Sequence, residues 1–484
     1  MRNSDRLLAP SPTPAPRRIP SGRALAAATV LAVTTAVLAP PASAAPEPDP
    51  TYGDAGSVVV TGRSGQVLRP VLDPAGGVLV QQPGPRGADT LQRVTPTGQV
   101  VAAYGDAGAL RLPSLPDGLR GARDLVPTAD GGFWRVSAGP RGRGGQRTTL
   151  RLERITDAGR ADPRVGPGGR AVYVLDLPIL PGEAIDAVAD ALGRVVVAVP
   201  VAGRVGGRFR PQVLLRIGGD GALDEGFGAR GISIVPARRG PGLEQRLVLR
   251  PGGGILALEQ DLRERRLVVR ALRADGRVDR TYGGDGRRVT SGQGRLQLAG
   301  AMVDDTDRLL LPSARGAGPC GPGRIGIVRW RSDGARDVAF TEEAAPVTCD
   351  DGLATGTDPG ADPGAGPGDG SRTVVVPRLA AAGPYVTLTL DATRRSADGT
   401  AVGPAADRLV GLLDTGARWE GLGPHGIAVL PATRTVVGAL FRADGTSDLA
   451  VITAEYPAGV FTAPTLTLRR DVASSLPVPP APAA

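Results

Sequence analysis

Beyond about residue 45 the chain is built from short runs in which apolar and polar positions alternate. The runs are rich in Val, Leu and Ile and are broken by Asp-Gly, Gly-Gly and Ala-Gly pairs. A period of two sends successive side chains to opposite faces, as in a half-buried strand. The glycines fall where tight hairpin turns need a positive φ. No segment after the first 44 residues carries a long helical period.

The runs recur in a fixed order. An apolar segment, a tight turn and a β-branched strand come first, as in RPVLDPAGGVLVQQP from Arg69 and LVLRPGGGILALEQ from Leu247. An alternating strand running into a turn follows, as in PQVLLRIGGDG and RLVVRALRADG. Seven copies of each are present. Next comes a compact motif, clearest as DGALDEGFGARG at 220–231 and DGRVDRTYGGDG at 275–286, and again as TGQVVAAYGDAG at 97–108. Its aromatic place is held by Tyr52, Tyr104, Val165, Phe227, Tyr282, Phe340 and Leu422, with steps of 52, 61, 62, 55, 58 and 82 residues. A short fourth strand follows the motif at 57–60, 232–235 and 288–290. Four strands per unit of this size describe a propeller blade. The chain reaches the motif at Asp49 soon after its start and shows none after its last alternating strand. One blade built from both ends would hide two sheet edges. The expectation is an all-β fold with a single seven-bladed propeller of about 55–60 residues per blade. The N-terminal motif completes the C-terminal blade; six or eight blades are the alternatives.

The strand, Asp-Gly turn and D-x-x-[FY]-G-x-x-G pattern resembles the delta-60 repeat, a β-propeller repeat of secreted bacterial proteins. The resemblance rests on Tyr52, Gly53 and Gly56; Tyr104, Gly105 and Gly108; Phe227, Gly228 and Gly231; and Tyr282, Gly283 and Gly286. Val165 and Leu422 replace the aromatic, and Thr341 stands where a glycine would follow Phe340. The resemblance implies a fold and an exported location and brings no catalytic residues.

Residues 1–44 read as an export signal. Arg17, Arg18 and Arg23 precede an uncharged Ala/Val/Leu run at 24–39, and Ala42-Ser43-Ala44 fits a small-x-small cleavage site. The propeller is assigned to 45–463, the Gly/Pro/Asp-rich stretch 350–371 to a disordered loop insertion, and 464–484 to a flexible tail. The expected location is extracellular, secreted or at the cell surface, with no membrane span after cleavage and a monomeric state. Lysine is absent, so all 57 basic residues are arginine, which reads as a compositional bias of the actinobacterial kind. Removing the signal takes away five arginines and one aspartate and lowers the net charge from +9 to +5. The arginines are interleaved with acids, which speaks against a nucleic-acid partner. In an oxidising compartment Cys320 and Cys349 read as a disulfide, which would stabilise by about 3–4 kcal/mol.

The candidates for chemistry are few. His425 is the only histidine and lies between Pro424 and Gly426, where a turn residue is expected. With two cysteines, zinc chemistry is short of ligands. No cofactor is assigned, and calcium at Asp304, Asp305 and Asp307, or at Asp350, Asp351, Asp358, Asp362 and Asp369, is kept as the weaker alternative. The motif aspartates Asp49, Asp224, Asp279 and Asp337 are expected to accept hydrogen bonds inside their own turns. The glycine runs at 105–108 and 252–254 lack the lysine of a phosphate loop. Trp134, Trp330 and Trp419 are expected to pack between blades, not to stack on sugars. The functional expectation is a non-catalytic binding or scaffold module whose ligand is a polysaccharide or an exported protein. The alternative is an extracellular polysaccharide lyase or hydrolase using Asp/Glu and Arg of the blade loops.

Overall fold

The computed structural model describes residues 47–340, apart from short stretches between strands, and beyond them the strands between Val347 and Ala473. The signal at 1–44, Cys320 and Cys349, the stretch 350–371, Trp419, Leu422, His425 and residues 474–484 lie outside the described residues.

Among the described residues the strands pair into seven antiparallel sheets. The first holds Arg69–Leu72, Val78–Gln82, Thr90–Val94 and Leu110–Arg111. The second holds Val126–Pro127, Phe133–Arg141, Arg147–Ile155 and Arg170–Leu175. The third runs Asp186–Ala189, Val195–Pro200, Arg210–Ile217 and Ile232–Ala237. The fourth runs Leu243–Leu249, Ile255–Asp261, Arg266–Leu272 and Arg287–Ser291. The fifth is Met302–Val303, Leu309–Arg315, Arg324–Trp330 and Val347–Thr348. The sixth is Arg372–Ala382, Tyr385–Arg395, Arg408–Leu413 and Ile427–Val429. The last combines Arg434–Phe441, Leu449–Glu455 and Thr465–Ala473 with Ser57–Thr61.

Each sheet stacks on the next, and Arg434–Phe441 of the last lies beside Arg69–Leu72 of the first. The fold is therefore a β-propeller. Apolar cores fill five of the described contacts between sheets. Leu466 and Leu468 meet Val78 and Val80 at the closure, Leu79 meets Phe133, and Leu150 meets Val197. Further round, Leu214 meets Leu247, and Leu267 meets Leu311. The period-two pattern explains this: one face of each sheet fills the gap before it and the other the gap behind, so both faces are apolar near the middle.

The two ends of the chain share one sheet. Ser57–Thr61 and Glu47–Pro48 both pair with Thr465–Ala473, matching Val58 with Leu468 and Pro48 with Asp471. The assignment of 464–484 to a flexible tail is corrected here for Thr465–Ala473. Leu466 and Leu468 are fully buried with Tyr52 and Val60, and Thr465 and Thr467 alternate with them. This strand is the third of its sheet, and the expected last alternating strand, Leu449–Glu455, is the second. Ile427–Val429, expected to open the final unit, instead closes the sheet before it by pairing with Arg408–Leu413. Among the described residues no helix is long and apolar enough to cross a membrane.

Candidate functional site

The recurring motif joins neighbouring sheets. Its aromatic is buried, with Tyr52, Tyr104 and Phe227 at 0% and Tyr282 at 1% exposure. The following glycine donates its N–H to the turn of the next sheet: Gly53 to the Thr97 carbonyl (2.8 Å), Gly105 to Ala158 (3.0 Å), Gly228 to Asp275 (2.6 Å) and Gly283 to Asp333 (2.8 Å). The second glycines, Gly56, Gly108, Gly231 and Gly286, close the loop in the left-handed region. The glycine of the next turn lies flat on the aromatic ring, so that a Cβ on Gly276 would sit 2.7 Å from Phe227, and one on Gly334 2.7 Å from Tyr282.

The motif aspartates accept hydrogen bonds in their own turns, from the Thr51 N–H to Asp49 (2.9 Å), Gly226 to Asp224 (3.1 Å), Thr281 to Asp279 (3.1 Å) and Ala339 to Asp337 (3.2 Å). Each also binds an arginine that the sequence reading missed. Arg216 Nε reaches Asp224 at 2.8 Å, Arg329 Nε reaches Asp337 at 2.8 Å, and Arg470 Nε reaches Asp49 at 2.7 Å. The guanidiniums lie over the motif aromatics, 4.7 Å from Phe227, 4.3 Å from Phe340 and 5.4 Å from Tyr52. Such stacking adds to the ion pair. Arg93, Arg154, Arg216 and Arg329 are each the second-to-last residue of a third strand. That regularity was the available signal, hidden by the general abundance of arginine.

Where the residues depart from the pattern, the contacts are re-routed. The fourth sheet has Ala271 at the arginine place, and Arg250 fills in from a turn, binding Asp279 (2.7 Å) and Asp307 (2.8 Å). In the second sheet Val165 replaces the aromatic, and Arg154 turns to Asp130 and lies 5.5 Å from Trp134. In the first, Val101 stands where the aspartate would be, and Arg93 bonds the carbonyls of Gly131 and Asp157. Burial raises the carboxyls of Asp49 and Asp279, but hydrogen bonds from Thr51 and Thr281 and pairing with Arg470 and Arg250 outweigh it and hold both below the usual carboxylate value.

Trp134 and Trp330 are buried between sheets, and Trp134 Nε1 donates to the Gly193 carbonyl at 3.0 Å. Asp304 caps its hairpin turn through Thr306 and Arg308, and Asp307 binds Arg250. Among the described residues no three His, Cys, Asp or Glu side chains converge as metal ligands.

In the first five sheets charge also breaks the repeat near the end of the third strand. The third residue from the end of each third strand is Gln92, Glu153, Leu215, Arg270 and Val328 in the first five sheets. Leu215 and Val328 are ordinary core. Glu153 is buried and enclosed by Arg135 (3.0 Å), Arg151 (2.5 Å) and Arg170 (3.3 Å). Arg270 instead faces an open cleft of about 450 Å³ between the third and fourth sheets. The outer strand Ile232–Ala237 forms one wall through Ile234, Val235 and Pro236, and Val268, Leu272 and Val278 continue the apolar lining. Arg266 and Arg287 complete the basic side, with Arg287 directly opposite Arg270 across the strand pair. Glu259 is buried and pairs with Arg270 at 3.7 Å, while Asp285 accepts the backbone N–H of Arg287 at 3.0 Å. Burial lowers the Arg270 pKa; Glu259 opposes this, and Arg287 and Arg266 reinforce it. An apolar cleft of this size with a few convergent polar groups has the form of a small-ligand site.

No family model matches the chain, and no curated protein matches it. Among solved structures, an arginine-to-alanine mutant of AofleA from Arthrobotrys oligospora matches at 11% identity and a TM-score of 0.36, over 79% of this chain and 93% of that one. An ulvan lyase of a new polysaccharide lyase family, bound to a sulfated disaccharide repeat, matches at 11% identity and TM-score 0.39, over 85% and 94%. Puromycin hydrolase, in complex as a serine-to-alanine mutant, matches at 15% identity and TM-score 0.33, over 82% of this chain and 51% of that one. At these TM-scores the fold is read from this chain's own strand pairing, and the likenesses add nothing to it.

Proposed function

We propose that the chain is an exported, seven-bladed propeller of the delta-60 kind that serves as a non-catalytic binding module, with its ligand site in the cleft between the third and fourth sheets. The blade number is supported by the seven paired sheets and the shared terminal sheet. The observation that carries the binding reading is the broken repeat: Arg270 stands over an open cleft where neighbouring sheets place Leu215 and Val328 in the core. The competing reading, a polysaccharide lyase or hydrolase, needs carboxylates free to exchange protons. Asp49, Asp224, Asp279 and Asp337 are each tied to an arginine, and Asp49 and Asp279 are held below the usual carboxylate value, whereas a general acid needs a pKa raised toward neutrality.

The test is a thermal-shift screen of the protein recovered from culture medium against polysaccharide fragments and small apolar acids, amides and alcohols. Ligand at a hundred times its Kd raises stability by about 2.7 kcal/mol. Ile234→Trp, at a half-exposed position on the cleft wall, should abolish the shift while leaving the melting temperature of the free protein in place. A shift that survives this substitution places the ligand elsewhere, and shortening of a polysaccharide on incubation establishes the enzyme reading instead.

A further inference from the structure

We propose that the ligand of this cleft is an organic carboxylate carried on an apolar body, bridged by Arg270 and Arg287; this rests on the cleft being the ligand site. The argument comes from two equivalent places in the same molecule. In the second sheet the cross-strand partners are Glu153 and Arg170, and Glu153 also binds Arg135 and Arg151. There the protein supplies its own carboxylate to the arginines, and the position is closed. In the fourth sheet the equivalent partners are Arg270 and Arg287, two cations facing each other. Like charges directly opposite destabilise a strand pair. Glu259 pairs with Arg270 at 3.7 Å, and no side-chain carboxylate pairs with Arg287 among the described residues. In the fourth sheet Arg287 keeps the place of Arg170 and Arg270 replaces the central carboxylate Glu153, while Ala257 and Val268 stand where the second sheet has Arg135 and Arg151. The cleft opens on this arginine pair.

The shape of the cleft fixes the rest of the ligand. Val268, Leu272, Val278, Val235 and Pro236 offer aliphatic surface and no hydrogen bonds for hydroxyls. A sugar ring pressed on such walls would leave polar groups stranded, which is unfavourable, whereas a hydrocarbon body gains from burial. A planar carboxylate matches the forked donors of a guanidinium. Occupation would relieve the repulsion that now helps to lower Arg270.

Isothermal titration of the secreted protein with octanoate and octanamide tests this. A tripeptide ending in leucine, with free or amidated C-terminus, separates a free acid from a protein end as the source. Octanoate or the free peptide should bind at least about tenfold more tightly than its amide, the scale of a charge-assisted hydrogen bond. Arg287→Gln, at an exposed position, should remove that preference without lowering the melting temperature. Arg270→Gln should do the same to binding. Equal binding of acid and amide, with both abolished by Ile234→Trp, overturns the carboxylate inference and leaves the cleft as a ligand site. Acid binding untouched by Ile234→Trp, or no binding of any probe, overturns both.

Discussion

The pair Asp49–Arg470 joins residues 421 positions apart and fastens the N-terminal motif to the strand Thr465–Ala473. Asp49 is fully buried and Arg470 is 14% exposed. Asp49→Ala removes the ion pair and the hydrogen bonds from the Thr51 N–H (2.9 Å) and hydroxyl (2.6 Å). Stranding one partner of a buried pair costs about 3–5 kcal/mol. Arg470 keeps its bond to the Pro96 carbonyl (2.7 Å) and some contact with water, which puts that part at the lower end, about 3 kcal/mol. The lost turn bonds add about 1 kcal/mol each. The expected total is about 4–5 kcal/mol. Asp279→Ala is the matched comparison, because Arg250 retains Asp307 at 2.8 Å and the loss should be about 1–3 kcal/mol. Urea unfolding followed by tryptophan fluorescence reads both, with an unchanged m-value showing that the folded and unfolded surfaces are the same. Asp49→Ala/Arg470→Met, which leaves no buried charge behind, should recover at least about 1 kcal/mol relative to Asp49→Ala. A loss below about 0.5 kcal/mol for Asp49→Ala, the level of an ordinary surface change, would refute this account of the closure.

Four further tests follow from the contacts between sheets. Gly276→Ala should destabilise by about 2–4 kcal/mol, combining left-handed strain with a forced contact on Phe227, whereas Gly252→Ala at φ +78°, with no atom within 4 Å of its Cβ, should lose only about 1–2 kcal/mol; denaturant midpoints compare them. Tyr282→Phe should be neutral or stabilising by up to about 1 kcal/mol, because the Tyr282 hydroxyl is buried with no hydrogen-bond partner among the described residues and Phe227 and Phe340 hold the same place. Burial also pushes the Tyr52 phenol up to about 12, Arg470 opposing, so its contribution is complete below its ordinary value of 10.0 and lost as pH rises through about 12; Tyr52→Phe should flatten the alkaline limb of a melting-temperature profile. Asp130 is drawn down to about 2: burial raises it, and hydrogen bonds from Thr128 and Arg154 and the Arg154 charge prevail. Its contribution is therefore complete above the ordinary 3.8 and lost as pH falls through about 2, and Asp130→Asn should reduce the steepness of acid unfolding there.

Much of the architecture is local and so was legible. Alternation in runs such as RLVVRAL and ILALEQD sets which side chains face a neighbouring sheet, and the glycines of the Asp-Gly turns mark where strands reverse. The spacing of Tyr52, Tyr104, Phe227 and Tyr282 betrays a repeat because each blade solves the same packing problem. That the start of the chain completes a sheet begun by its end was also readable, since a missing motif at one end and a spare one at the other are matters of counting. The strand Thr465–Ala473 was not, because a Thr- and Pro-rich segment declares itself as strand only when Leu466 and Leu468 find Val78 and Val80 to bury against.

By itself the sequence determined most of the strands and the motif that fastens one sheet to the next, because period-two burial, turn glycines and the aspartate's own turn act over a few residues. Only the tertiary structure decided which charges are consumed and which are left facing an open cleft. Arg250 and Arg470 look like any other arginine along the chain, and the regular place of Arg216 and Arg329 is masked by the abundance of arginine, yet each lies beside a motif aspartate once the sheet has formed. Arg270 and Arg287, 17 positions apart, become direct cross-strand neighbours over an open cleft. The physical reason is that an ionised side chain is defined by what lies within a few ångströms of it, and in a propeller those neighbours come from another strand or another sheet.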